Sequence, residues 1–246
     1  MSGTSWALGP WCAFDTETTG VDVETARIVT SAIVTRTPPA PPVPVELLID
    51  PGVQIPEGAA KIHGVTTEMA RTNGVEARAG VAAICDGLTE AVIAGIPLIV
   101  FNAAYDLSLL QNECIRYGLP TLSERVELAG AELFVIDPLV LDRAVKPYRK
   151  GKRTLSVLSE FYNVPLSEED AHTAAGDCVA AARVAYKTAS TFPKIAAMTL
   201  PALQVYQAEK HIEWAEGFEE WLRGKGKDEV IDRSWPIRPA ETAVTT

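Results

Sequence analysis

The segment "FDTETTG", residues 14–20, places two carboxylates, Asp15 and Glu17, one residue apart at the end of an apolar run, Trp11 to Phe14. In an extended strand, residues two apart face the same side, roughly 6.5–7 Å apart along the chain. Like charges so placed disfavour each other unless a cation intervenes. Alone, such a pair reads as a solvated strand end. Two further carboxylates change that reading. Asp106 opens a helical stripe that continues through Leu109, Leu110, Cys114 and Tyr117, and Asp177 opens one through Ala181, Val184 and Thr188. Each puts a carboxylate on a face patterned to pack inward, which is costly without a partner; taken singly, Asp106 also suits a helix N-terminus. Four such carboxylates in separate elements suggest a shared cation site. Oxygen-only donors select hard divalent ions, magnesium or manganese, over zinc.

His172 precedes Asp177 by five residues, about 140° round an ideal helix. The two do not share a helical face, so the spacing places His172 in the loop before the helix. A loop histidine is ordinarily just exposed. Beside a metal site it is a candidate general base, its unperturbed pKa being near 6.5.

The elements that must position these groups follow from pattern. Residues 11–17, 26–35 and 45–50 read as strands, the last with Val45, Leu47 and Ile49 on one face, and their short links favour an antiparallel meander. The proline cluster 37–44 between the second and third reads as a projecting loop. Helices are expected over 77–94, 103–117, 154–163 and 173–190, with short buried strands at 97–101 and 133–137. Asp137-Pro138 reads as an N-cap followed by proline at the first helical position. Strands separated by helices suggest parallel additions to the sheet, giving an α/β fold with three antiparallel strands and then parallel ones, flanked by helices. A last helix runs from Pro201 to about Arg223, with Leu203, Tyr206, Lys210, Trp214, Phe218 and Trp221 at helical spacing.

The chain has 246 residues and a net charge of −10, which argues against binding nucleic acid through bulk charge but not against gripping it locally. No apolar run approaches the roughly 18 residues of a membrane span. Cys12, Cys85, Cys114 and Cys178 are scattered singly and read as reduced core thiols; with no secretory pattern at the start, a cytoplasmic protein is expected.

"FDTETTG", "FNAAYD" and "HTAAGD" resemble, in order, the three exonuclease motifs of the DnaQ-like superfamily, and the His-x4-Asp spacing of the third is similar to its DEDDh branch, which includes proofreading epsilon subunits, RNase T and oligoribonuclease. The resemblance covers roughly residues 8–190, taken as the exonuclease domain, and leaves 191–246 as a C-terminal helical extension. It implies an RNase H-like fold and a two-metal 3′→5′ exonuclease acting on single-stranded DNA or RNA 3′ ends. By motif, Asp15, Glu17, Asp106 and Asp177 would hold two Mg²⁺ or Mn²⁺ ions, with His172 as general base. A nuclease confined to short RNA oligomers, or a catalytically silent binding module, are the alternatives; the complete acid set weighs against silence.

The resemblance also gives His63, in "KIHGVT", a contact with the terminal nucleotide. Thr18 either binds the terminal 3′-hydroxyl or shapes the turn with Gly20. Asn102 either touches the scissile phosphate or caps the following helix. The dense basic stretch 142–153, with Lys150, Lys152 and Arg153 at its end, is either a solvated face or a phosphate-holding loop. The aromatic tail helix either covers its own domain or leaves room for a homodimer or polymerase contact.

Overall fold

The computed structural model describes residues 5–165 and 173–240. His172 lies outside the described residues. The elements run β1 (Trp11–Thr18), β2 (Ile28–Arg36), β3 (Val43–Asp50), α1 (Glu57–His63), α2 (Thr67–Asn73), β4 (Val75–Glu76), α3 (Ala77–Ile93), β5 (Leu98–Ile99), α4 (Ala103–Arg116), α5 (Leu122–Leu128), β6 (Val135–Ile136), α6 (Pro138–Val145), α7 (Leu155–Phe161), α8 (Ala174–Thr191), α9 (Pro193–Ala196) and α10 (Leu200–Arg223).

The strands form one mixed sheet in the order β4-β3-β2-β1-β5-β6. β1, β2 and β3 pair antiparallel, while β5, β6 and β4 add in parallel, so the expected antiparallel meander with parallel additions is what forms. Alternation along β1 divides the core. Cys12 and Phe14 join the apolar cluster with residues of α3 and α4, and Ala13 joins the cluster under α8. Asp15 and Glu17 continue the Ala13 side by strand period.

One expectation is corrected and two readings are made specific. The loop assigned to 37–44 ends earlier, because Val43 and Pro44 belong to β3, where Pro44 stands opposite Val34. β4 pairs only with Ile49 and Asp50, so Pro44 lies on an open edge, where a missing N–H is tolerated. The β3 stripe is not a uniform core face: Ile49 is buried while Val45 is exposed, and Gly74 and Gly80 approach the chain closely at Ile49. The inward stripe of α10 is Leu203, Gln207, His211, Ala215, Glu219 and Leu222, not the row through Trp214 and Trp221.

Glutamines on and beside that stripe reach β6 and its C-terminal neighbour. Gln204 Oε1 accepts from Val135 N, Gln207 Oε1 accepts from Asp137 N, and Gln207 Nε2 donates to Val135 O. The segment after α10 returns over the core: Trp235 is buried, Arg238 N donates to Ser108 Oγ, and Gln111 Nε2 donates to Arg238 O.

Candidate active site

β5 pairs with β1 only at Cys12 and Ala13. Beyond that point β1 has no strand neighbour on this side among the described residues, and the start of α4 is held there instead. Asn102, in left-handed backbone at φ 62°, donates its N–H to Asp137 Oδ1 at 3.0 Å, and Ala103 N donates to Asp137 Oδ2 at 2.9 Å. Asp137 also caps α6, as expected, by accepting from Leu139 N, and it takes the Trp235 indole N–H. The Asn102 side chain makes no capping bond.

Fixed this way, α4 turns Asp106 toward β1. Asp106 is 4% exposed, and its Oδ1 accepts from Thr16 Oγ1 at 2.5 Å. Burial pushes the Asp106 carboxyl up to about 7, against the lowering effect of the Thr16 hydroxyl. From the other side of the sheet comes α8. Ala174, Gly176, Cys178, Ala181 and Ala185 are buried along it, and such small residues let a helix lie close to a sheet; Cys178 Sγ reaches the Ala32 carbonyl at 3.4 Å. Thr173 caps the helix by accepting from Gly176 N, and Asp177 follows in the first turn.

Asp15, Glu17 and Asp177 each present an oxygen, and these oxygens lie within 4.8 Å of one another. Two oxygens bound at about 2.0–2.6 Å to one hard cation stand at most about 4–5 Å apart, so the donor set fits such an ion. Burial, then Asp106, Asp177 and Glu17, raise the Asp15 carboxyl well above its ordinary range. Burial and Asp177 push Glu17 up to about 7. The four acids therefore share one electrostatic environment, with Asp106 set against Thr16 beside the other three. The pairing with β2 shifts register between Glu17 and Thr18, the last residue of β1, a device that re-aims side chains.

Around the acids, the Thr18 hydroxyl donates to the Gly20 carbonyl at 2.8 Å and meets the Tyr105 hydroxyl at 2.7 Å, and Tyr105 also donates to Gly20. Thr18 thus shapes the turn. A cleft of about 370 Å³ beside Glu17 is lined by Thr30, Ser31, Glu46, His63 and Thr173 among others. His63 Nδ1 accepts from Val65 N, while Nε2 is buried without a hydrogen-bond partner among the described residues. Burial lowers its pKa, with the Thr18 backbone opposing.

The basic stretch is divided. Arg149 and Arg153 both engage the buried Asp142, and Arg153 also donates to the Lys146 carbonyl. Lys150 and Lys152 are exposed. Sequence reasoning did not single out Thr16 or Tyr105, though both lie inside the first two motifs. It saw Asp137 as a helix cap but not as the anchor of α4.

The exonuclease family profile matches residues 12–185. With its acids so arranged, the chain belongs to the DnaQ-like exonuclease family, a class of nucleases. A DNA polymerase III subunit epsilon-like protein of Rhodobacter capsulatus is 30% identical over 173 residues, 69% of this chain and 22% of that protein. Among solved structures, E. coli exonuclease I in complex with a dT13 oligonucleotide superposes with TM-score 0.63 at 19% identity, over 76% of this chain and 42% of that one. Exonuclease I from Methylocaldum szegediense gives 0.61 at 22%, over 76% and 41%. At such identities the structural likeness speaks for the fold. The chain spans about a fifth of that curated relative and under half of those exonuclease I chains.

Proposed function

We propose that the chain is a divalent-metal-dependent 3′→5′ exonuclease that removes 5′-mononucleotides from single-stranded DNA or RNA. The observation that carries this reading is the convergence of Asp15, Glu17 and Asp177 within 4.8 Å, with Asp106 close enough to raise Asp15 further. Like charges gathered in a half-buried site are unfavourable unless cations offset them, so Asp15, Glu17 and Asp177, supported by Asp106, are the residues to hold Mg²⁺ or Mn²⁺. Two such ions, when bound, would polarise the scissile phosphate and offset charge on the attacking and leaving oxygens. His172, one residue before the cap of α8 in the chain, takes the proton of the attacking water in its neutral form. His63 lines the cleft that receives the terminal nucleotide, and Thr18, next to Glu17 in the chain, is the residue to meet its 3′-hydroxyl.

The test is digestion of end-labelled single-stranded DNA, RNA and short RNA oligomers with Mg²⁺, Mn²⁺ or EDTA. Mononucleotides should leave from the 3′ end only when a divalent ion is present, and Asp15→Ala or Asp177→Ala should remove nearly all release from a folded protein. Release in EDTA overturns the metal reading, and shortening from the 5′ end overturns the polarity.

A further inference from the structure

α10 and the segment after α6 enclose an open groove of about 860 Å³, apart from the acidic site. One wall is the aromatic row of α10. Trp214, Phe218 and Trp221 stack in near-parallel pairs, ring centroids 5.5 and 5.7 Å apart and planes inclined 13° and 10°. This row is not the face that α10 packs inward, and Trp221 is 56% exposed. The facing wall comes from 142–153, which contributes Arg143, Tyr148, Arg149 and Arg153; the stretch as a whole has six lysines and arginines to one carboxylate, Asp142. Asp142 joins Arg149 and Arg153, leaving an excess of positive charge. Arg143 lies over the Trp214 ring, 3.5 Å from its centroid. Lys150 and Lys152 flank lining residues of the same loop and are exposed at the groove's rim rather than in its wall, and Tyr148 in the wall is 93% exposed. Glu213, the acid on the helix wall, is engaged by Lys210 at 2.6 Å.

Flat rings in a row beside solvated cations match the bases and phosphates of a single strand. A second copy docked here on a two-fold axis would set the same cations against themselves. We propose that this groove is a holding site for single-stranded nucleic acid, gripping the strand away from its reacting 3′ end. The inference rests on the nuclease reading of the acidic site. Lys146 Nζ lies 5.4 Å from the ring centroid of Phe192, at the C-terminal end of α8, whereas Asp177 is in its first turn. The length of α8 between them is roughly 20 Å. A strand must therefore be several nucleotides long to occupy both places, so the groove favours oligomers over dinucleotides.

The test uses the full chain in EDTA, which suppresses hydrolysis and leaves the acidic site repulsive to phosphate. Oligo-dT of about 20 nucleotides, longer than typical single-strand footprints of roughly 4–16, and a dinucleotide are titrated by fluorescence anisotropy and tryptophan quenching. The long strand should bind and quench, and the dinucleotide should bind far more weakly. Phe218→Ala with Trp221→Ala should weaken the long strand at least about tenfold, the scale of losing one stacked base. Lys150→Gln with Lys152→Gln should flatten the plot of log K against log salt by about 1.4, at roughly 0.7 per phosphate contact. Unchanged affinity and slope in folded variants overturn the groove, as does a dimer in sedimentation that Trp221→Ala dissolves. Length-dependent binding that these substitutions weaken, in a protein that cleaves nothing, keeps the groove and overturns the nuclease reading. Cleavage of long strands with binding indifferent to these substitutions does the reverse.

Discussion

Thr16 Oγ1 and Asp106 Oδ1 meet at 2.5 Å, although ninety positions separate them in the chain. Strand alternation turns Thr16 away from Asp15 and Glu17, so the bond holds the fourth acid on a different bearing from the other three. A hydrogen bond to a charged group contributes about 1.5–3 kcal/mol, and part of that should appear in metal affinity. Thr16→Val should weaken the Mn²⁺ dependence of cleavage about tenfold, and Thr16→Ser should restore it. Equal titration midpoints in all three proteins would remove Thr16 from the site.

Metal and pH should act on stability together. Glu17 and Asp106 titrate at about 7 in the metal-free fold but near 4 in an unfolded chain. Between those values the native state holds more protons, so stability falls as pH rises from about 4 to about 7. The metal-free melting midpoint should be lower at pH 8 than at pH 5, and Mn²⁺ should raise it more at pH 8, where the ligands are deprotonated. Glu17→Gln should raise the metal-free midpoint at pH 8, by about 2–4 °C per kcal/mol recovered. A variant and wild type with superimposable midpoints across this range would show that the acids are not crowded.

His172 should behave as a base and not as a ligand. His172→Ala should lower turnover at saturating Mn²⁺ by about 10²–10⁴-fold without moving the Mn²⁺ midpoint. A neutral imidazole is needed to accept the proton, so the wild-type rate should climb with pH and level off, and that limb should vanish in the variant. Wild-type turnover with the limb intact would exclude the residue.

Asp137 should matter to the fold before it matters to chemistry. It accepts from the N–H groups of Asn102, Ala103, Leu139 and Trp235. Each buried donor left unpaired costs about 1–3 kcal/mol, so Asp137→Ala should lower unfolding free energy by at least about 3 kcal/mol in a denaturant titration. Asp137→Asn, which keeps an acceptor, should cost less.

Deleting residues 200–246 should uncover the apolar surface beneath Leu203 and Trp235, both buried in the whole chain, and strip partners from Val135 and Asp137. Loss of solubility or of the cooperative melting transition is expected. A truncated chain that melts like the intact one would show that the tail is an attachment.

Sequence pattern carried the meander, the helices α3, α4 and α8, and the acids, because each rests on local period or on a motif. It did not carry α1, α2 and β4, which are too short for a period to develop. α5 was missed despite a readable signal: Thr121 and Glu124 form a capping box, which a scan for Thr-x-x-Glu finds. The packing face of α10 was not legible because its polar residues have partners elsewhere in the chain, Gln207 on β6 and His211 Nε2 at the Asp232 carbonyl. The Thr16–Asp106 bond and the reach of Asp137 to α4 are likewise non-local, and no periodicity reports them.

The glutamines of α10 have an effect that reaches past the single molecule. On the outer side of β6, their amides stand where the peptide groups of a seventh strand would stand. An arriving strand finds those ladder positions already taken. At the far border, β3 beyond its short pairing with β4 displays Pro44 and the exposed Glu46, one without a donor and the other charged, the two commonest ways of blunting a sheet edge. Among the described residues, both borders carry features that blunt a template for growth. Side-chain amides at one border, and a proline and a carboxylate at the other, therefore work against the joining of sheet to sheet that open edges invite.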